Sequence, residues 1–208
     1  MGSISCVSGR NVFGITLFAL VLFSFQTINA QGFERGYIVL NTNDTLYGYI
    51  KDRNDGALFK KIRFKEARGK VKRYTAEDLL SYTAGLYTYE SLWYAAENQF
   101  FKFEYYSSPG YGSKVFLKVL AKGRLSCYAK EFIHDDNDFL DQFELFLRDS
   151  DNTMVRATQG IFGLKKKRLT EYFSDCPGVV EKINNRSITK PLDVVAYYNQ
   201  YCGRLNTP

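Results

Sequence analysis

The residues of this sequence that are best suited to chemistry lie at positions 134–138, which have the sequence HDDND. Their aspartates supply carboxylate oxygens, the ligands that a divalent cation such as Ca²⁺ prefers. The order of ligands nevertheless differs from that of a calcium-binding loop, because Phe139 occupies the third ligand position and no glycine follows. His134 is the only histidine in the chain, which excludes a zinc site built from several histidines. We therefore interpret the segment as a polar surface loop and predict no metal site.

The short motifs that mark common active sites are missing from the sequence. It contains no G-x-S-x-G nucleophile elbow, no Walker phosphate loop, no G-x-G-x-x-G and no C-x-x-C. Glu90, Glu97 and Glu104 are scattered among aromatic residues, and their sequence spacing cannot define the paired carboxylates of a glycosidase. We predict no catalytic residue, no cofactor and a protein that is not an enzyme. A hydrolase with unidentified carboxylates is the weakest alternative.

The densest cluster of charge lies between positions 60 and 73, where eight basic residues stand against one acidic residue, Glu66. Such a patch could hold an anionic lipid head group or a polysaccharide. The favoured interpretation is the solvated face of a hairpin whose lysines protect a sheet edge from pairing. The eight residues are Lys60, Lys61, Arg63, Lys65, Arg68, Lys70, Lys72 and Arg73.

Residues 1–30 have the parts of a secretory signal peptide. Arg10 provides positive charge, residues 12–25 are almost wholly apolar, and Ala30 ends the segment with a small residue. The apolar run is shorter than the roughly 20 residues that a membrane-spanning helix needs, so an uncleaved anchor is the less favoured alternative. We expect residues 31–208 to be exported to the periplasm, the outer-membrane surface or the medium. No later stretch predicts a transmembrane helix, so membrane contact would be peripheral.

Three cysteines lie beyond the signal: Cys127, Cys176 and Cys202. An odd number of cysteines in an oxidising compartment leaves at least one thiol unpaired. Cys176 and Cys202 both fall in the C-terminal region and are therefore the favoured disulfide pair. The alternative is three buried thiols that act as small hydrophobic side chains.

The elements that would position any site are mostly β-strands. Of the 208 residues, 45% are hydrophobic and 16% are aromatic, which fits one strand-rich globular domain over residues 31–208. Hairpins follow one another without intervening helices, among them residues 36–51 and 114–130. This succession predicts an antiparallel sheet over residues 31–160, either closed as a barrel or folded as a sandwich.

In the first hairpin, residues 41–44 have the composition of a turn. The returning strand alternates, with Leu46, Gly48 and Ile50 on one face and Thr45, Tyr47, Tyr49 and Lys51 on the other.

Two segments further along carry less regular patterns. Thr75, followed by Asp78, predicts the start of a helical turn that would bury Leu79 and Leu80. Residues 82–94 are rich in tyrosine and leucine and predict one strand.

Helical spacing begins after Gly160. Apolar residues there predict two or three short helices over residues 161–208, with Asp175 as the cap of one helix and Pro177 in its first turn. The predicted fold class is therefore α+β, mainly antiparallel β, with these helices packed on the sheet.

The chain also carries a set of short strand and turn motifs: GYIV at 36–39, DTL at 44–46, Gly48, FLKVL at 116–120, Gly123, LSCY at 125–128, DCP at 175–177 and YN at 198–199. In these motifs it resembles a family of exported β-rich proteins of Bacteroidota with no known activity. The resemblance implies a signal peptide, a β-rich body and export to the periplasm or beyond. It carries no catalytic residue across.

These observations favour an exported, non-enzymatic, envelope-associated binding or interaction protein. Its partner would be an envelope protein, a glycan or a lipid. The net charge of +6 is modest, and an exported protein seldom meets nucleic acid, so we expect none. The 17 phenylalanines and 16 tyrosines support an alternative, a carrier of a small apolar ligand in an aromatic-lined β cavity. A fully packed interior would count against that carrier.

Overall fold

The computed structural model describes residues 32–53, 60–99, 102–133, 140–159 and 163–202. The predicted signal peptide and the polar segment at 134–138 lie outside these residues. The strands of the described part are β1 (Glu34–Leu40), β2 (Thr45–Lys51), β3 (Lys61–Lys65), β4 (Lys72–Thr75), β5 (Leu79–Ala84), β6 (Tyr87–Gln99), β7 (Lys102–Tyr106), β8 (Ser113–Ala121), β9 (Leu125–Ile133), β10 (Leu140–Arg148) and β11 (Thr153–Arg156). The helices are α1 (Lys166–Tyr172), α2 (Pro177–Asn184) and α3 (Pro191–Tyr197), and α3 continues into a π-helical turn, Tyr198–Cys202.

Six of the strands close into a barrel. Their order is β6-β7-β11-β10-β9-β8, and β8 pairs back to β6. The long strand β6 makes closure possible, because it pairs with β8 through Tyr89–Tyr94 and with β7 through Ala95–Gln99. The predicted fold class, mainly antiparallel β with short C-terminal helices, is confirmed. Of the two arrangements that the sequence left open, the structure has the barrel.

The other five strands extend the sheet away from the barrel in the order β5-β1-β2-β3-β4, and we call them the outer sheet. It joins the barrel where β5 pairs with the first residues of β6. The alternation predicted for β2 is confirmed, since Ile50 is fully buried whereas Tyr47 is 74% exposed. The predicted turn at residues 41–44 is also present, with Asn43 at a positive φ of 68°.

Buried side chains lie in the described interior of the barrel. Tyr105, Leu117, Tyr128, Leu145 and Met154 pack against one another there, and each is at most 4% exposed. They come from five different strands, because every second residue of a barrel strand points inward.

Two further clusters lie on the outside of the barrel. One face of the outer sheet packs against the barrel through residues such as Ile38, Ile50, Phe64 and Tyr82, which join Phe116 of β8. The helices cover another part of the barrel, where Cys127 and Phe146 meet apolar residues of all three helices, among them Leu169, Val179 and Val194.

The helical turn predicted at Thr75 is wrong. The Asp78 carboxylate accepts hydrogen bonds from the backbone N–H and the hydroxyl of Thr75, both at 2.7 Å, and the chain then enters β5. Because side chains alternate in a strand, Leu79 is fully buried but Leu80 is 38% exposed.

The single strand predicted over residues 82–94 is also wrong. The chain turns at Gly85 and Leu86, so the segment is divided between β5 and β6. Gly85 has a φ of 57°, a conformation that glycine adopts without steric cost.

Gly48 is a position where a close approach requires glycine. A Cβ atom at this residue would lie 2.8 Å from Cε2 of Phe64, whose ring is buried, and even closer to the carbonyl oxygen of Lys65.

We expect Gly48→Ala to lower the free energy of unfolding by about 1–3 kcal/mol, the usual cost of overpacking a core. Urea denaturation would measure the loss. Gly69→Ala is the matched control, because its nearest atom is Cβ of the exposed Glu66 at 3.1 Å. Equal losses in the two variants would contradict the packing argument.

Candidate binding surface

The outward face of the outer sheet, the side away from the barrel, concentrates positive charge. Lys51 of β2 lies directly opposite Arg63 of β3, and Arg63 lies directly opposite Arg73 of β4. Neighbouring strands are about 4.8 Å apart, so these three cations form a row about 10 Å long. Lys61 and Lys65 flank Arg63 on the same face, two residues away in each direction. We call these five residues the cation cluster.

The structure separates the eight residues of the predicted basic patch. Four of them, Lys61, Arg63, Lys65 and Arg73, belong to the cation cluster. Lys72 lies opposite the buried Phe64 and therefore points to the other side of β4. The other three occupy connections, where they are exposed: Lys60, Arg68 and Lys70.

Lys51 was not part of the predicted patch, although the sequence contained a signal for it. The alternation of β2 places Lys51 on the same face as Tyr47 and Tyr49. Only the pairing of β2 with β3 shows that this polar face continues into the basic one.

Next to the cation cluster, three tyrosines line a groove of about 470 Å³ that opens to solvent. Tyr37 and Tyr47 are directly opposite on β1 and β2, with ring centroids 5.8 Å apart and ring planes tilted by 58°. Tyr49 is the third tyrosine that lines the groove, and Arg35 and Thr83 supply polar groups. We call this feature the tyrosine groove.

The tyrosine groove and the cation cluster are contiguous. Tyr49 has Arg35 directly opposite on one side and Lys65 directly opposite on the other. A ligand that extends along β2 from Tyr47 to Lys51 would contact both features, over about 13 Å at the usual rise of a strand.

A second concentration of charge is buried between the outer sheet and the barrel. Arg53, just after β2, is 5% exposed, and its guanidinium donates hydrogen bonds to Tyr82 (3.0 Å), to the carbonyl of Phe116 (3.2 Å) and to Glu131 (2.8 Å). Glu131 also forms an ion pair with Lys118 at 3.4 Å. We call these residues, with Asp52, the Arg53 cluster. It joins the two parts of the sheet.

The carboxylates of the Arg53 cluster act as counter-ions. Asp52 Oδ1 accepts hydrogen bonds from Nε of Arg53 at 3.2 Å and from the hydroxyl of Tyr82 at 2.5 Å. Burial opposes the charge of Arg53, but Tyr82, Asp52 and Glu131 outweigh it, and the pKa of Arg53 is raised. Burial also raises the pKa of the Tyr82 hydroxyl, which stays neutral and can donate. Sequence reasoning missed this cluster, because Arg53 and Glu131 are 78 positions apart.

A smaller polar triad consists of Lys122, Glu90 and Tyr128. Nζ of Lys122 donates to Glu90 (2.9 Å) and to the hydroxyl of Tyr128 (2.8 Å), and that hydroxyl donates to Glu90 (2.7 Å). Burial raises the pKa of Tyr128 to about 12. The triad binds barrel strands together.

The prediction that Asp175 caps α2 is wrong. The residue before the helix is Cys176, and no side chain caps the helix. The Asp175 carboxylate instead pairs with Arg148 of β10 at 2.9 Å and accepts a hydrogen bond from Tyr198 at 2.8 Å. The predicted Pro177 does occupy the first turn. Asp175 therefore attaches the helices to the barrel.

The cysteines are divided between a disulfide and a buried thiol. Cys176 and Cys202 are joined by a disulfide, whereas Cys127 is free and buried. Burial and the nearby charge of Glu144 raise the pKa of the Cys127 thiol to about 12. The thiolate, which is the reactive form, is therefore scarce at neutral pH.

The described residues offer neither a cluster of metal ligands nor a membrane-spanning helix. Within the described ranges, no group of three or more His, Cys, Asp or Glu side chains is placed to hold a metal ion. In the same part of the chain, none of the helices has the length and hydrophobicity needed to span a membrane.

The fold and this surface define a class: a closed six-stranded barrel extended by an outer sheet with a basic, tyrosine-lined face. No protein-family model matches the chain, and neither a curated protein nor a solved structure does. Function is therefore inferred from the site alone.

Proposed function

We propose that the protein is an exported, non-enzymatic, envelope-associated protein that binds a polyanion on the outward face of its outer sheet. The observation that carries this proposal is the row of Lys51, Arg63 and Arg73 at directly opposite positions of three strands. The row places three cationic groups within about 10 Å on one face of the sheet. It therefore favours a ligand with several negative charges, since one such ligand can contact more than one of the cations.

The chemistry of the row suits phosphate, sulfate and carboxylate groups. Arginine presents a planar fork that binds these groups through two hydrogen bonds, and lysine adds a point charge. At physiological ionic strength the Debye length is about 8 Å, so neighbouring cations of the cluster act together on one ligand.

Export is proposed on the basis of residues 1–30, and the location would bring the protein to anionic polymers of the cell envelope. The sequence also offered a carrier of an apolar ligand inside the barrel. We favour the surface site, because the described barrel interior is occupied by its own side chains, such as Tyr105 and Leu145.

Replacing both Arg63 and Arg73 by alanine should weaken polyanion binding at least about tenfold, because each lost charge-assisted hydrogen bond contributes roughly 1.5–3 kcal/mol. Isothermal titration calorimetry with inorganic polyphosphate and with an oligogalacturonate would measure the change. Wild-type affinity should fall as salt is added, and less steeply in the variant.

The matched control also removes two positive charges, but from positions outside the cation cluster. Lys72→Ala combined with Lys167→Ala takes one cation from the other side of β4 and one exposed cation from α1. This variant should keep wild-type affinity. Equal weakening in both double variants would show a general charge effect and contradict the proposed site.

A further inference from the structure

We infer that the polyanion is an acidic glycan, whose sugar rings lie against the tyrosine groove while its acidic groups lie on the cation cluster. This inference rests on the proposed function and adds the class of polymer. The observation behind it is that three tyrosines line a groove beside the five cations of the cluster. Binding of charge alone does not explain these tyrosines.

The tyrosines offer the surface that a sugar ring needs. The face of an aromatic ring is electron-rich and attracts groups with partial positive charge, such as the C–H groups on the face of a sugar. Tyr47 is 74% exposed, so most of its ring is available to a ligand. Tyr37 and Tyr47 are neighbours, with ring centroids 5.8 Å apart, and both line the groove. A ligand in the groove can therefore contact both residues.

Polar groups at the groove can orient hydroxyl groups of the ligand. The Thr83 oxygen accepts a hydrogen bond from the backbone N–H of Tyr37 at 3.1 Å, which leaves its own O–H to donate. Arg35 is exposed at the same groove and can bind an acidic substituent. Binding sites of this kind combine aromatic contact area with a few placed polar groups.

The distances select an extended polymer. Tyr47, at the far end of the tyrosine groove, and Lys51, in the row of cations, are four residues apart on β2 and therefore about 13 Å apart. A single phosphate or a monosaccharide covers only part of this stretch, such as Tyr49 and the neighbouring Lys65, whereas an oligosaccharide with repeated acidic groups covers all of it. The groove is shallow and opens to solvent, and its tyrosine rings offer apolar faces to the sugar rings of such a chain.

The test compares two polyanions that differ in the presence of sugar rings. Tyr47→Ser should weaken binding of an oligogalacturonate about fivefold, since an aromatic contact contributes on this scale. The affinity of this variant for inorganic polyphosphate should stay within about twofold of wild type. Polyphosphate has no sugar rings, and the substitution leaves in place the cations that bind it. Tyr47→Phe, which keeps the ring, should bind the oligogalacturonate like wild type. Because Tyr47 is exposed, the substitution should leave folding intact, and circular dichroism would check this.

The outcomes distinguish this inference from the proposed function. Loss of polyphosphate binding in the Arg63/Arg73 double variant, with no effect of Tyr47→Ser on either polymer, would support polyanion binding and overturn the glycan. An equal loss of both polymers in Tyr47→Ser would also overturn it. Failure of wild type to bind either polymer would overturn both. Binding to vesicles of anionic phospholipid in preference to the oligogalacturonate would overturn the glycan and indicate a membrane surface.

Discussion

Arg53→Ala should lower the free energy of unfolding by about 3–5 kcal/mol, because it removes the closer charged partner of the buried Glu131 carboxylate together with two further buried hydrogen bonds. The guanidinium of Arg53 donates to Glu131, Tyr82 and the carbonyl of Phe116, and its side chain is 4% exposed. Without it, the Glu131 carboxylate keeps only Lys118 as a charged partner among the contacts described above. Chemical denaturation followed by circular dichroism would measure the loss.

Two comparisons separate this effect from general loss of positive charge. Arg73→Ala removes an exposed arginine from β4 and should change stability by no more than about 0.5 kcal/mol. Arg53→Met combined with Glu131→Leu should recover part of the loss, because apolar residues of similar volume can replace a buried pair. A double variant less stable than Arg53→Ala would contradict this account and would show that the pair itself is required.

The second large effect concerns the disulfide. Replacing Cys176 and Cys202 by alanine should lower the free energy of unfolding by about 3 kcal/mol, because the bond closes a loop of 26 positions and restricts the unfolded chain. The bond joins the residue before α2 to the end of the π-helical turn after α3. Denaturation with and without reductant would measure the loss, since reductant should affect wild type but not the double variant.

Cys127→Ala is the control for loss of a cysteine. Its thiol is free and buried, so the variant should stay sensitive to reductant, as wild type is. A loss below about 1 kcal/mol in the disulfide variant would contradict the prediction. It would mean that non-covalent contacts hold the helices, among them the ion pair of Asp175 with Arg148 and the hydrogen bonds between Asn199 and the backbone of Leu125.

The outer sheet uses arginine in two ways, and burial decides between them. Arg53 is enclosed, and its bonds go to groups of the protein itself. Arg73 lies at an exposed position and faces a second arginine across β3 and β4. An enclosed cation of the first kind stabilises the fold, whereas a row of accessible cations can bind an outside ligand. This difference is the reason that we assign binding to the cation cluster and stability to the Arg53 cluster.

Local patterns in the sequence determined much of the fold. The alternation of residues 45–51 assigned each side chain of β2 to its face, and the turn residues at 41–44 located the first hairpin. The change to helical spacing after position 160 located the three helices, and the predicted disulfide partners are the two cysteines that the structure joins. These features depend on neighbours only a few positions away, so composition and periodicity are enough. The prediction failed at residues 75–85, where a local capping pattern and a tyrosine-rich run hid a turn and a hairpin.

The tertiary structure decided what no local pattern contains. Closure of the barrel depends on the pairing of β6 with β8, and the row of cations depends on the register of β2, β3 and β4. The Arg53 cluster joins residues 78 positions apart. Register and closure follow from how whole faces of apolar side chains pack together, which is a property of the complete sheet. The sequence by itself therefore determined which side chains share a face of a strand. Only the folded sheet decided which faces meet, and so where the proposed binding surface lies.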